Sequence, residues 1–334
     1  MFLVLSLLLV LCFILNISLG SVFIPIKKVA FILIGDQNIK ESWQYIVLNY
    51  RMPKAIVAVL VGGGLGVSGL LMQTLFRNPL AGPYVLGLSS GASLGVAIVI
   101  LGASLFGGAF ANFMLHKSSL IIASSIGSFL ALLAVIIVSS KVKDTMAILI
   151  IGLMFASVTA ALVNVLSYFS SAEELKRYVF WGFGSLGNLT WNELKFLGIT
   201  FMIGIGLTIY SIKSLNILLL GDNYAQSLGL NLKKTRFIII IATSVLAGSI
   251  TAFVGPIAFV GLAIPHLTKL FFNTSNHNIL IPSVILSGSI LMLVCDSISQ
   301  LPMSDFTLPI NAITSLFGAP IVIWLLVRKK KLFI

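Results

Sequence analysis

Ten apolar runs, most of them about as long as a helix that crosses a bilayer and several shorter, constrain this chain more than any other feature. They lie at residues 2–20, 53–73, 86–103, 118–138, 146–168, 193–212, 237–254, 256–270, 281–299 and 309–327, bounded by charges or by Gly, Pro and Asn clusters. A hydrocarbon core of about 30 Å takes about 20 helical residues per crossing, so runs of this kind predict membrane-spanning helices. They are too long and too unbroken for the short alternating segments of a β-barrel. Charge agrees: 9% of the 334 residues are Asp, Glu, Lys or Arg and 58% are hydrophobic, against about 25% and about 45–50% in soluble domains. So few charges cannot coat a water-facing surface. The fold expected is an all-α integral membrane protein of about ten transmembrane helices, a single polytopic domain over residues 1–334. The run 256–270 is the exception, because Gly255-Pro256 and Pro265 should interrupt it and leave a broken or half-length helix.

The first run, Met1 to Gly20, lacks the basic start of a signal peptide and reads as a retained first helix. With the amino terminus inside, the alternating loops place Arg77, Lys141, Lys143, Lys213, Lys233, Lys234, Arg236, Lys269 and Arg328 to Lys331 in the cytoplasm. Only Asp144 and Asp222 oppose them there. The outer loops hold the remaining basic residues, but also Asp36, Glu41, Glu173, Glu174, Glu193, Asp296 and Asp305. The positive-inside rule therefore puts both termini in the cytoplasm, with a basic tail at 328–334. Lys27 and Lys28 after the first run oppose this, and the tail and the Lys141–Lys143 loop outweigh them. The net charge of +12 is spread over the ends of apolar runs and forms no amphipathic basic face, which argues against nucleic acid.

Glycine is the next signal. Gly87, Gly91 and Gly95 recur every four residues, a spacing that lets membrane helices approach closely. Gly62 to Gly66 resembles a nucleotide loop in its glycines, but no GK[ST] follows, so the chain has no Walker motif. Arg77-Asn78-Pro79-Leu80-Ala81-Gly82-Pro83 breaks the helical text and reads as an ordered inner turn, structural or part of a gate. Gly82-Pro83 to Leu88 echoes Gly255-Pro256 to Leu262, and by the predicted topology the copies follow helices of opposite direction, a candidate inverted repeat. The polar segment 221–234 predicts a short helix from Asp222 to Leu228, stopped by Gly229. Its mixture of Tyr, Leu and charge suits either a solvated loop or a docking surface. No span carries an acid or lysine near its centre, as ion-coupled carriers usually do; Asp296 lies near the end of its span. His116, His266 and His277 are far apart, and Cys12 and Cys295 occupy separate runs, a pattern that favours neither a metal site nor a disulfide framework.

These residues resemble a known family, the permease subunits of ATP-binding-cassette importers for iron-siderophore, haem and cobalamin. The resemblance is carried by Arg51-Met52-Pro53-Lys54, by Phe76-Arg77-Asn78-Pro79-Leu80-Ala81 and by Leu86-Gly87-Leu88-Ser89. Gly221-Asp222 with Ala225 and Leu228-Gly229, Gly255-Pro256-Ile257 with Pro265-His266, and Leu308-Pro309 with Gly318-Ala319-Pro320 continue it in order. It implies a ten-helix subunit paired with a second copy, as a homodimer, or with a close paralogue. Two cytoplasmic ATP-binding subunits would drive it and an extracytoplasmic substrate-binding protein would deliver cargo. ATP hydrolysis is then the partner's, and the chain itself is neither an enzyme nor the holder of a cofactor. By the same resemblance, Arg51 and Lys54 would meet acids of the binding protein, and Asn78, Leu80, Thr145 and Met146 would constrict the path on the inside. Segment 213–236, with Asp222, Ala225, Leu228 and Gly229, would couple to the ATPase. Gln300 stands where relatives carry a third outer basic residue, and Thr307 where an acid often precedes Leu-Pro. The expected cargo is an iron chelate or haem, with cobalamin second. The competing reading is an autonomous secondary carrier or channel, which leaves the coupling segment without a role.

Overall fold

The computed structural model describes residues 1–35, 39–102, 117–141, 145–300 and 306–329. Each of the ten apolar runs contains an α-helix over most of its described residues. Six helices among the described residues are long and apolar enough to cross a membrane, within Glu41–Leu75, Lys117–Val138, Ile150–Phe169, Trp191–Tyr210, Leu232–Val254 and His277–Ser299. Four are shorter: Phe2–Ser18, Leu88–Leu101, Val260–Phe272 and Ile310–Trp324. The chain is an all-α membrane protein.

The elements in order are α1 (Phe2–Ser18), α2 (Ile26–Ile34), α3 (Glu41–Ile46), a π-helical turn (Val47–Arg51), α4 (Met52–Leu75), a 3-10 turn (Pro83–Leu86), α5 (Leu88–Leu101), α6 (Lys117–Lys141) and α7 (Thr145–Phe169). They continue with α8 (Ala172–Gly182), α9 (Trp191–Tyr210), α10 (Ile212–Leu218), α11 (Asp222–Ser227), α12 (Leu232–Val254), α13 (Val260–Phe272), α14 (His277–Ser299) and α15 (Ile310–Lys329).

Helix starts depart from the sequence expectation where local chemistry extends them. The second run was expected from residue 53, yet the helix is continuous from Glu41, about 52 Å for its 35 residues. Pro53 would drive its ring into the carbonyl four residues back in a regular helix. The wider π turn immediately before it relieves that clash and lets the helix run through. The run expected from 237 begins at Leu232, because the Asn231 side chain caps it by accepting from Lys234 N at 3.0 Å. The 256–270 run is indeed broken: α12 ends at Val254, residues 255–259 are non-helical and α13 has 13 residues, about 20 Å. Pro265, expected to interrupt, sits inside α13.

Both glycine-proline echoes have one local design. Gly82 is extended before the 3-10 turn, and left-handed Gly87 (φ 71°) opens α5; Gly255 (φ 85°) precedes Pro256, and left-handed Phe259 (φ 66°) opens α13. In each case a left-handed residue redirects the chain into a short helix.

The chain divides into two units. The first comprises 1–67, 184–199 and 257–334. Here α1, α13 and α15 pack around α14, and α4 meets α14 backbone to backbone at Gly62 and Gly288. A Cβ at either glycine would fall inside the van der Waals shell of the other's carbonyl oxygen. Ser289 Oγ donates to Val59 O across the same contact at 2.8 Å. The second unit, 68–183 and 200–256, is built on α5 against α6, with α7, α8 and α12 packed around them. Amphipathic α8, which the hydropathy did not predict, opens with a Ser171/Glu174 capping box and lays Tyr178 and Trp181 on the Val96, Ala97, Ile100, Leu101 cluster. Burial differs sharply between spans: α4 is largely buried within the chain, whereas α7 is mostly uncovered by it.

Candidate functional site

In the first unit, Arg51 occupies the last position of the π turn and is buried. Its Nη1 donates to Ile17 O at 2.9 Å and Ser18 O at 3.0 Å, and its Nη2 to Val22 O at 2.5 Å. It thus satisfies carbonyls that the end of α1 leaves open. Lys54 lies one turn further along, and its Nζ stands 3.0 Å from Asp296 Oδ1, with side-chain exposures of 20% and 2%. Asp296 Oδ2 also accepts from Asn16 Nδ2 at 2.9 Å and from Gln300 Nε2 at 2.8 Å. One buried carboxylate therefore ties α1, α4 and α14 together. Gln300, noted as a departure from relatives, is part of this network. Next to it, Ser299 Oγ donates to Leu308 O at 2.6 Å and Leu308 N to Ser299 O at 2.8 Å.

The second unit carries the 77–82 turn, expected from the sequence on the inner side. Arg77 follows the last turn of α4 in a left-handed conformation, φ 46°. The turn is self-braced: Asn78 Oδ1 accepts from Leu80 N at 2.9 Å, and Asn78 O from Ala81 N at 3.0 Å. Leu80 is exposed. Thr145 and Met146 open α7, but their side chains lie outside the described residues.

The predicted coupling helix is α11, Asp222–Ser227, entered through Gly221 (φ 108°) and left through Gly229 (φ 82°). Both glycines supply the positive φ that lets so short a helix stand between two sharp turns. Ala225 is fully buried and seats the helix on its own unit; Tyr224 at 71% and Leu228 at 61% exposure are the side chains it presents outward. Asp222 Oδ1 accepts from Arg77 Nη2 at 2.5 Å and Oδ2 from Arg236 Nη2 at 2.8 Å. The structure thus joins the 77–82 turn to the 221–236 segment, a link that sequence spacing could not reveal. Tyr224, Arg77, Arg236, Asn16 and Asp296 are the participants that the motif reading did not assign to a site. The polar Asn16 and the acidic Asp296, each inside an apolar run, were the available signals for the first of these networks.

The three glycines divide. Gly91 and Gly95 lie against the backbones of Gly127 and Ala123 of α6, where any side chain would collide. Gly87 is not on the helix face with them. It precedes α5, and its carbonyl accepts the first helical bond from Gly91 N at 2.8 Å. Among the described residues no group of three or more His, Cys, Asp or Glu side chains could hold a metal ion.

Comparison with known proteins places these features. The sequence model of the FecCD transport family matches residues 8–328. The hemin transport system permease protein HmuU of Yersinia pestis is 31% identical over 320 residues, covering 94% of this chain and 93% of its own. The vitamin B12 import system permease protein BtuC of Citrobacter koseri is 32% identical over 318 residues, covering 93% of each. A solved metal-chelate type ABC transporter in an inward-facing conformation matches with a TM-score of 0.85 at 29% identity, covering 98% of both chains. The match spans nearly the whole chain, including both charge networks and the inner turn: this chain belongs to the FecCD transport family of ABC-transporter permeases.

Proposed function

We propose that this chain is the cargo-conducting subunit of an importer for an iron chelate or haem in a bacterial cytoplasmic membrane, with both termini cytoplasmic. Two ATP-binding subunits press on α11, a second copy or a close paralogue completes the path, and an extracytoplasmic binding protein delivers cargo. The observation that carries the reading is α11 itself, a short helix held between two positive-φ glycines with Tyr224 and Leu228 outward. A chain without a nucleotide motif needs such a surface to receive work from elsewhere. Leu228 meets the ATPase, Asp222 and Ala225 fix the helix, and Gly229 ends it.

Asn78 and Leu80, with Thr145 and Met146, form the inner gate. Arg51, set against carbonyl oxygens, keeps its positive charge at the outer rim and steers the binding protein more than it tightens docking, whereas the Lys54 charge is offset by Asp296, so Lys54 adds little net field and serves docking by its position. Support for the cargo comes from the likeness to a haem permease and to a metal-chelate type transporter. The test is competition: proteoliposomes holding this chain and its ATP-binding subunits should be stimulated in ATP hydrolysis by a binding protein loaded with ferric chelate or haemin, and not by one loaded with cobalamin. A reporter fused after Lys331 should remain inside the cell; its export would reverse the assigned orientation.

A further inference from the structure

The contact between Arg77 and Asp222 joins two parts that the proposed function treats separately, and this inference rests on that reading. Asp222 is the first residue of α11, and each of its oxygens holds a different arginine. Arg236 belongs to α12 and is the better buried of the two, with 17% of its side chain exposed against 45% for Arg77. Arg236 is therefore the anchored end of the bridge and Arg77 the free end.

Arg77 also begins the turn that carries Leu80. That turn is braced by the Asn78 side chain and by the Ala81 amide, so a displacement of Arg77 moves Leu80 with it instead of being absorbed by bending. Gly221 brings the chain close at the same place, since a Cβ there would lie 3.7 Å from Arg77 Nη1. Exposed ion pairs contribute little to stability. What this one supplies is position: a carboxylate with both oxygens engaged fixes direction as well as distance.

We propose that Asp222 is the transmission link of the permease, passing movement of α11 to the 77–82 turn through Arg77, with Arg236 as the pivot. Asp222 is a positioning residue and touches neither cargo nor nucleotide. A carboxamide at 222 keeps the shape and loses the charge that holds two guanidinium groups; a glutamate keeps the charge with one more methylene of reach.

The experiment uses the full chain assembled with its ATP-binding subunits, carrying Leu80→Cys as a reporter, and the parent protein with Cys12 and Cys295 as the blank. Maleimide labelling of position 80 is measured with and without ATP, alongside ATP hydrolysis and retention of the ATP-binding subunits. With Asp222 in place, labelling changes on ATP binding. Asp222→Asn should shrink the nucleotide-dependent labelling change by about fivefold or more, the lower range of allosteric coupling, and by a larger factor than any fall in hydrolysis or in retention of the ATP-binding subunits. Arg77→Gln should do the same, the double variant should be no worse than either single, and Asp222→Glu should restore the response. The proposal is overturned if Asp222→Asn responds like the parent, or if it sheds the ATP-binding subunits, which would make Asp222 a docking contact. Failure of the unsubstituted chain to retain any ATP-binding subunit would instead count against the proposed function, so the two failures are told apart.

Discussion

Two aspartates, one in each unit, each join three elements, and they do so in opposite surroundings. Asp296 is buried, with one oxygen at Lys54 and the other at Asn16 and Gln300. Asp222 is 36% exposed, with one oxygen at Arg77 and the other at Arg236. Burial decides what each can do. A buried ion pair that loses one partner leaves a charge with neither water nor counter-ion, so it stays made. An exposed pair exchanges its partner for water at low cost and can be made and broken within a working cycle. The first is a fastener within its unit, and the second is suited to be the joint proposed above.

Removing Asp296 should break that comparison most visibly. Asp296→Leu leaves the Lys54 ammonium without its counter-ion and takes an acceptor from the Asn16 and Gln300 amides, and should cost about 3–5 kcal/mol of stability, the range for orphaning one half of a buried pair. Lys54→Met combined with Asp296→Leu should recover most of it, because the pair is then replaced by apolar groups. Thermal unfolding in detergent, or recovery of folded protein from membranes, reads both; a double variant as damaged as the single would mean that packing and not charge is at stake.

Gly62→Val ranks next. Its side chain has no room against the Gly288 backbone, so overpacking of about 1–3 kcal/mol is expected, larger if the helices cannot separate. Gly229→Ala provides the contrast within the second unit: a Cβ there meets nothing within 4 Å, and only the positive φ of 82° opposes it, for about 1 kcal/mol. Equal losses at the two glycines would mean that backbone conformation matters as much as helix contact.

The smallest stability effect belongs to Asp222→Asn, below about 1 kcal/mol for an exposed pair, together with the loss of nucleotide response described above. A variant that melts normally yet fails to transport would sharpen the distinction between fastener and joint. One that melts as badly as Asp296→Leu would erase it.

The order of helices was legible because membrane solvent leaves so few choices: a long apolar run in lipid must satisfy its backbone internally, and a helix does so. Local turns were legible where glycine marks them, as at Gly229, which ends α11 as its position predicts. What could not be read was partnership across the chain. Nothing in Arg51-Met52-Pro53-Lys54 says that the arginine caps the end of α1 or that the lysine finds Asp296, 242 residues away by their numbers. The same blindness hid Arg77 from Asp222, and led Ala225 to be read as an outward contact when it is fully buried. Helix periodicity gives a face but not which neighbour covers it. The early start at Glu41 was missed for a related reason, since Pro53 reads as a boundary unless the π turn before it is known.

The central claim is that work enters this permease from outside itself, through α11. The most direct measurement is ATP-dependent uptake in proteoliposomes holding the chain with or without its ATP-binding subunits, and with Leu228→Arg as the variant that spoils only the outward face of the segment. Leu228 is exposed and follows the helix directly, so the charge should leave the fold unchanged. The account predicts no uptake without the ATP-binding subunits, uptake with them, and loss of both uptake and subunit retention in Leu228→Arg. Uptake by the chain alone, driven by an ion gradient, would contradict it and establish an autonomous carrier.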